Sequence, residues 1–257
     1  MPERTEYAPG TPSWVDLSAA DLDAARAFYS RVFGWKYRDE AAGEGSVHSV
    51  AQVDGKAVAG LWAAGDSPPG WNTYVTVQEV DGAVSAALAA GASTALEPVD
   101  AEADGRMARI VDAVGAQVSL WEPRKRAGAE LVSEPGGFIW TELLCGDCAR
   151  AAEFYGSLFG WEAEAMPAPD GSEAMLFAGR EGPVASVRDP KSSLPPTWLV
   201  YFACEDADAC AAAVADAGGA IAIEPIDAPF GRMGAAVDVN GAAFAFIATN
   251  PEYELAA

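Results

Sequence analysis

The sequence predicts an α+β fold built from four βαβββ modules, arranged as two tandem domains of two modules each. The chain has 257 residues, a length that suits two domains of ordinary size. A series of residues recurs about half a chain apart, and strand-like and helix-like patterns follow one another in the same order in each half. These observations predict an internal duplication.

The duplication has an offset of 126 residues. Residues 28–35 return as residues 154–161, residues 14–17 return as 140–143, and residues 105–107 return as 231–233. We therefore predict one domain at residues 1–124, a second at 138–257, and a linker at 125–137. Pro and Gly mark the edges of this linker. Its adjacent cations could form a nucleic-acid patch, but the formal charge of −22 around them favours a solvated connection.

Each half divides again into two modules that open on a tryptophan. Short alternating runs begin at Trp14 and Trp71, and again at Trp140 and Trp198. Apolar residues at helical spacing follow the first run, from a capping Asp21 to a terminating Gly34. An alanine-rich stretch at 83–90 is the helix of the second module, and several short strand-like runs follow each helix.

Composition excludes several functions. The formal charge is −22, which disfavours nucleic acid and anionic membrane surfaces as partners. The single histidine, His48, excludes any site that needs two histidines from one chain, and we expect it at a surface or at the rim of a site. Four cysteines do not make a disulfide scaffold, and no long apolar segment or signal peptide is evident. We expect a cytoplasmic protein.

The opening Trp14-Val15-Asp16-Leu17, the capping Asp21 and the Phe28-Tyr29…Phe33-Gly34-Trp35 series resemble a vicinal oxygen chelate module. That superfamily includes glyoxalase I, bleomycin-resistance proteins and extradiol dioxygenases. The likeness is to its two-domain, glyoxalase-like or hydroxylase-labelled members. It implies that modules pair into mixed sheets that curl into cups, where first and last strands hold a metal when one is present.

The metal positions that the resemblance implies carry no suitable ligands. On the first strands they fall on Trp14, Asn72 and Trp140, and near Leu199. On the last strands they fall on Gly60, Ser119 and Ala245, and near Ala185. Divalent metals in proteins favour imidazole and carboxylate ligands. We therefore expect no metal and no cofactor, which disfavours metal-dependent glyoxalase, lyase or dioxygenase activity.

Strand alternation instead predicts aromatic cups with a few polar anchors. The predicted ligand-binding residues are Trp14, Trp62, Asn72, Tyr74, Arg106, Ser119, Trp121, Trp140 and Tyr201. Aromatic walls suit a flat, apolar ligand. The alternatives are that the indoles simply fill the cups, and that Arg106 forms an internal ion pair.

Two carboxylates, Asp16 and Glu142, occupy matched positions and face the cups in this register. As general bases they would have raised pKa values in apolar surroundings. As structural groups they would accept hydrogen bonds from a Trp or an Arg. The Cys145 and Cys148 pair has redox spacing, and Cys148 at a helix start could have a lowered pKa, although local packing is the simpler interpretation.

These observations leave three alternative functions. The first is a protein that binds a small hydrophobic or aromatic molecule without a metal, as a monomer or weak homodimer. The second is a hydroxylase-, oxygenase- or isomerase-type tailoring enzyme of secondary metabolism that uses Asp16 or Glu142. The third, a metal-dependent lyase or dioxygenase, is disfavoured by the missing ligands. The more polar first half is the expected place for any chemistry.

Overall fold

The computed structural model describes residues 3–41, 47–65, 69–167 and 171–250. The outermost ends of the two predicted domains, at residues 1 and 257, lie outside these ranges. The described part of the chain contains four βαβββ modules in sequence, as the repeat predicts. No helix among the described residues is long and apolar enough to cross a membrane.

Each half supplies eight strands and two helices. The first half consists of β1 (Pro12–Ala19), α1 (Leu22–Phe33), β2 (Lys36–Ala41), β3 (Val47–Val53), β4 (Lys56–Ala63), β5 (Gly70–Thr76), α2 (Val80–Ala89), β6 (Ser93–Ala101), β7 (Gly105–Val111) and β8 (Gln117–Pro123). The second consists of β9 (Phe138–Leu144), α3 (Cys148–Phe159), β10 (Glu162–Ala165), β11 (Ala174–Gly179), β12 (Gly182–Arg188), β13 (Thr197–Ala203), α4 (Ala207–Asp216), β14 (Ala220–Ala228), β15 (Gly231–Val237) and β16 (Ala243–Thr249).

The strands of each half form one mixed sheet of eight. Its order is β2-β3-β4-β1-β5-β8-β7-β6 in the first half and β10-β11-β12-β9-β13-β16-β15-β14 in the second. Within each module the first and last strands pair in parallel, and the two modules of a half join through antiparallel first strands, β1 with β5 and β9 with β13. The first strands therefore lie at the centre of each sheet.

The first helix begins and ends where the sequence predicts, whereas α2 begins three residues ahead of the alanine-rich stretch at 83–90 that predicts it. Asp21 accepts a hydrogen bond from the backbone N–H of Ala24 at 2.9 Å and so caps α1. Gly34 ends α1 with φ 70°, a left-handed conformation that glycine adopts without steric cost. The apolar stripe of α1 buries Phe28 and Tyr29.

The cores are shared between the halves, which the sequence does not show. The helical face of the first module, around Phe28 and Trp35, packs in one cluster with Phe202 and Phe244 of the fourth module. The second and third modules share another cluster in the same way. The two sheets thus lie back to back around the helices, and their opposite, concave faces remain for ligands.

Two reciprocal hydrogen bonds join the halves inside these cores. The Tyr29 hydroxyl donates to Asp238 at 3.0 Å, and the Tyr155 hydroxyl donates to Asp112 at 2.6 Å. Each tyrosine also accepts a bond from an indole of its own half, Trp71 or Trp198. Burial raises the pKa of both tyrosines well above the ordinary value, so their hydroxyls remain donors.

Candidate functional site

The concave face of each sheet forms a cup, and strand alternation assigns its lining. On β1, Trp14 lines the first cup with Tyr74 and Trp121, whereas Val15 and Leu17 belong to the core beneath the helices. The concave face of the β1–β8 sheet is called the first cup here, and that of the β9–β16 sheet the second cup. The alternation is as the sequence predicts.

Asp16 is the centre of a hydrogen-bond network in the first cup. Its carboxylate accepts bonds from the Trp62 indole at 2.9 Å, the Asn72 amide at 2.9 Å and the Tyr74 hydroxyl at 2.5 Å. Register explains the convergence, because Asp16 pairs with Gly60 on one side and with Asn72 on the other. Four predicted site residues therefore meet, and they satisfy one another.

Burial dominates the electrostatics of this network. Asp16 is 2% exposed, and burial raises the pKa of its carboxyl, while the bond from Tyr74 and the charge of Arg109 oppose that shift. Arg109 also donates to Ser119 at 3.3 Å, so Ser119 is a partner inside the cup. A carboxylate with three short donors and no exposed face is a structural group.

His48 lies in the first cup and not at the surface, which corrects the expectation from sequence. It is 8% exposed, and its ring stacks on Trp62 at a centroid distance of 4.1 Å. Burial, with the charge of Arg126, lowers the pKa of His48 to about 4 although Nδ1 lies 3.7 Å from the Glu40 carboxylate. Nε2 has no hydrogen-bond partner in the described part of the chain. A side chain at Gly60 would collide with it.

The predicted linker is not a solvated connection. Residues 126–132, called the strap here, lie across the mouth of the first cup. The guanidinium of Arg126 is 5.4 Å above the Trp14 ring and binds Glu40 at 2.6 Å and Asp104 at 2.9 Å. Its side chain is only 14% exposed. The indole of Trp121 donates to the Arg126 carbonyl at 3.0 Å, so the strap and the cup walls hold each other.

Arg106 does not reach the cup. Its guanidinium binds Asp81 at 2.9 Å and Asp100 at 3.3 Å, on the side of the sheet that carries α2. The alternation of β7 explains this, because Met107 and not Arg106 packs against the cup lining. The proposed anchor is corrected to an ion pair, the alternative that the sequence left open.

Glu142 is the carboxylate of the second cup. The Tyr201 hydroxyl donates to its Oε2 at 2.9 Å, and Arg188 Nη2 lies 3.3 Å from the same oxygen. Among the described residues, its other oxygen, Oε1, has only long contacts, to Ser186 at 3.4 Å and to Arg188 Nε at 3.5 Å. Ser186 in turn accepts from the Trp140 indole at 3.0 Å. The second cup thus places an aromatic ring next to a carboxylate.

Matched positions show that the second cup is the more accessible. Trp14 is 5% exposed, whereas Trp140 is half-buried. Val50 and Ala57 are buried, whereas residues 126 positions later, Leu176 and Pro183, are partly exposed. Burial therefore favours the second cup for a ligand, contrary to the expectation from sequence.

The donor set does not fit a metal at the positions where the superfamily would hold one. In the first cup these are Trp14, Gly60, Asn72 and Ser119, and the register places Ser186 rather than Ala185 at the corresponding strand of the second cup. Within the described ranges no three His, Cys, Asp or Glu side chains come together as a possible metal site.

The predicted redox pair, Cys145 and Cys148, is buried. Cys145 and Cys148 are 2% and 1% exposed and are not disulfide-bonded. Burial raises the pKa of Cys148 to about 12, and the neighbouring Cys145 adds to that shift. The lowered pKa considered from sequence for Cys148 is therefore wrong, and local packing explains the pair.

The family follows from comparison with known sequences. The profile of the Glyoxalase/Bleomycin resistance protein/Dioxygenase superfamily matches residues 11–120 and 137–246. The chain belongs to this superfamily. The two matches cover the two eight-stranded sheets, so each cup is formed within one copy of the family domain.

Two curated relatives match nearly the whole of this superfamily member. The "Putative glyoxylase CFP32" of Mycobacterium tuberculosis is 38% identical over 260 residues, covering 98% of this chain and 100% of the relative. The "Anthracycline biosynthesis protein DauV" of Streptomyces sp. (strain C5) is 30% identical over 277 residues, covering 98% of each.

Solved structures share the fold at low sequence identity. The Mn(II)-bound glyoxalase from Novosphingobium aromaticivorans has a TM-score of 0.66 and 17% identity, over 93% of this chain and 81% of its own. The 2,3-dioxygenase LapB from Pseudomonas sp. KL28 has a TM-score of 0.66 and 15% identity, over 96% and 97%. At this identity the likeness is one of fold, and the site must be argued from its residues.

Proposed function

We propose that this protein binds a small, flat, largely apolar molecule in its second cup, without a metal. The observation that carries the proposal is the partly exposed apolar wall around Glu142. Leu199, Tyr201 and Ala245 form its buried floor, and partly buried residues surround them: Ile139, Trp140, Leu144, Met233 and Ala235. A mostly apolar surface with one polar group is the usual composition of a small-molecule site.

An aromatic ligand suits this wall. Trp140 is half-buried, so its ring has surface to offer, and ring stacking contributes roughly 0.5–1.5 kcal/mol beyond burial. DauV is named as an anthracycline biosynthesis protein, which supports a polycyclic aromatic ligand for its relative here. The unsuitable metal positions support binding through side chains alone.

The matched tryptophans of the duplication provide the test. Titration calorimetry with 2-methoxynaphthalene as the probe measures affinity in Trp140→Ala and, as the control, in Trp14→Ala. We expect Trp140→Ala to weaken binding by about tenfold, from the loss of stacking and apolar contact, and Trp14→Ala to change it little. Absence of binding to the wild-type protein at millimolar probe, or a loss confined to Trp14→Ala, would overturn the proposal.

A second candidate is an isomerase-type tailoring enzyme with Glu142 as the general base. The loosely bonded Oε1 of Glu142 favours it, because a base must reach a proton on its substrate. The carboxylate would take a proton from one atom of the ligand and return it to another, with no other reactant. Incorporation of solvent deuterium into a bound ligand, detected by mass spectrometry and lost in Glu142→Gln, would support this candidate.

A further inference from the structure

The two equivalent carboxylates differ in how completely they are hydrogen-bonded. Asp16 has three donors at 2.5 to 2.9 Å, and both of its oxygens accept a short bond. Within the part of the chain that the structure describes, Glu142 has one short bond, from Tyr201 to Oε2 at 2.9 Å. The partners of its Oε1 lie at 3.4 and 3.5 Å, at the outer limit for a hydrogen bond.

A single position explains most of this difference. Asn72 pairs with Asp16 in the sheet and donates to its Oδ1, whereas the residue that pairs with Glu142 is Leu199. Leu199 has no donor, so the bond that completes the first network is missing from the second. Glu142 is buried all the same, with only 9% of its surface exposed. Burying a carboxylate oxygen that lacks a short hydrogen bond costs free energy.

We infer that Glu142 Oε1 accepts a hydrogen bond from a neutral phenolic hydroxyl of the ligand, so that the second cup selects hydroxylated aromatic rings. This inference rests on the proposed function and adds the chemical class of the ligand. The hydroxyl takes the place that the Asn72 amide has in the first cup.

The charges around Glu142 favour a neutral donor. The guanidinium of Arg188 lies 3.3 Å from Oε2 of the same carboxylate, so an ammonium group would meet like charge there. A carboxylate or phenolate ligand would be repelled by Glu142. A phenol satisfies Oε1 without adding charge to a site that is largely buried.

The position of Trp140 favours a ring that carries the hydroxyl directly. The Trp140 indole donates to Ser186 at 3.0 Å, and Ser186 is 3.4 Å from Oε1. The aromatic surface and the acceptor are therefore linked through one side chain. A flat molecule stacked on Trp140 brings a substituent on its edge to Glu142.

A matched series of naphthalenes tests the inference by titration calorimetry on the full chain. The probes are 2-naphthol, 2-methoxynaphthalene, 2-naphthylmethylammonium and 2-naphthoate. We expect 2-naphthol to bind about tenfold more tightly than the methoxy compound, which lacks the donor, and the two charged probes to bind more weakly than 2-naphthol.

Two variants assign the preference to Glu142. Glu142→Gln replaces the charged acceptor, and Leu199→Asn supplies the missing amide donor while leaving the carboxylate in place. We expect each to reduce the preference for 2-naphthol to about threefold or less, and Asp16→Asn, the equivalent change in the first cup, to leave it unchanged.

The outcomes separate the two proposals. If all four naphthalenes bind equally and binding depends on Trp140, the second cup remains the ligand site and the selection of phenols is overturned. A preference that persists in both Glu142→Gln and Leu199→Asn overturns the assignment to Glu142. If none of the probes binds the wild-type protein, both proposals fail.

Discussion

Asp16 shows how a carboxylate in a cup can be structural. Its three donors, Trp62, Asn72 and Tyr74, come from two neighbouring strands and leave it 2% exposed. Since both of its oxygens accept hydrogen bonds from these donors, its contribution is to hold the aromatic walls together. The resemblance in position between Asp16 and Glu142 therefore does not extend to their roles.

We expect Asp16→Asn to destabilise the fold without affecting the second cup. An amide cannot accept from all three donors, so at least one buried N–H or O–H loses its partner, at a cost of about 1–3 kcal/mol. Urea denaturation measures the free energy of unfolding, and titration with 2-naphthol measures binding. A variant of unchanged stability that no longer binds would contradict the structural role.

We expect His48 to make the stability of the fold depend on pH. Its pKa is lowered to about 4 in the fold, against about 6.5 when unfolded, so the unfolded chain takes up the proton first. The contribution of neutral His48 to the free energy of unfolding is therefore complete above pH 6.5 and is lost as the pH falls toward 4. It amounts to about 2 kcal/mol between pH 7.5 and pH 5. The facing charges are those of Glu40, Asp104 and Arg126.

The control is His48→Gln, which keeps a polar side chain but does not titrate. We expect the free energy of unfolding of the wild type, measured in urea, to fall more steeply than that of His48→Gln over this pH range. The acidic residues titrate in both proteins, so the difference isolates the imidazole. Parallel pH profiles would show that His48 is accessible to water and ordinary in its pKa.

At the scale of elements, the strap closes the first cup. Arg126 links Glu40 on β2 to Asp104 in the turn before β7, at opposite sides of the sheet, and covers Trp14. Gly128 allows the close approach, because a side chain there would collide with the Ser13 carbonyl. The strap, a segment outside both sheets, thus closes the first cup.

We expect Arg126→Met to open the first cup. The change removes two ion pairs and a cation–π contact, with a loss of about 1–2 kcal/mol in the free energy of unfolding. Trp14 should then become accessible, giving red-shifted emission and stronger acrylamide quenching. The control is Arg126→Met in a protein that already carries Trp14→Phe. Without Trp14, the change at Arg126 should add no quenching. Equal quenching in both backgrounds would place the opening elsewhere.

The sequence predicted β1 and α1, but it did not predict that the strap closes the first cup. Alternation on β1 assigned Trp14 and Asp16 to the cup, and the Asp21 and Gly34 caps fixed α1, because these signals lie within a few residues. The partners of Arg126 are 22 and 86 residues away, and no local pattern marks them. The same holds for His48, since only the register of β3 against β4 shows that it faces inward.

At the scale of the molecule, the two halves share their apolar cores. Phe28 packs edge-on against Phe244 of the other half, with ring centroids 6.1 Å apart. The ring centroids of Phe33 and Phe202 are 5.2 Å apart. The bond from Tyr29 to Asp238 lies in the same core. The helices therefore bury their apolar faces against the other half as well as against their own sheet.

We expect the full chain to unfold in a single cooperative transition, and a chain of residues 138–257 alone to lack a native transition. Separation would expose Phe202, Phe244 and their neighbours to water, at roughly 25 cal/mol for each Å² of apolar surface. Calorimetry of both chains measures this. Tyr29→Phe provides the internal check, because the loss of its bond to Asp238 should shift the whole transition and not a part of it. Two resolved transitions in the full chain, with only one moved by Tyr29→Phe, would show that the halves fold independently.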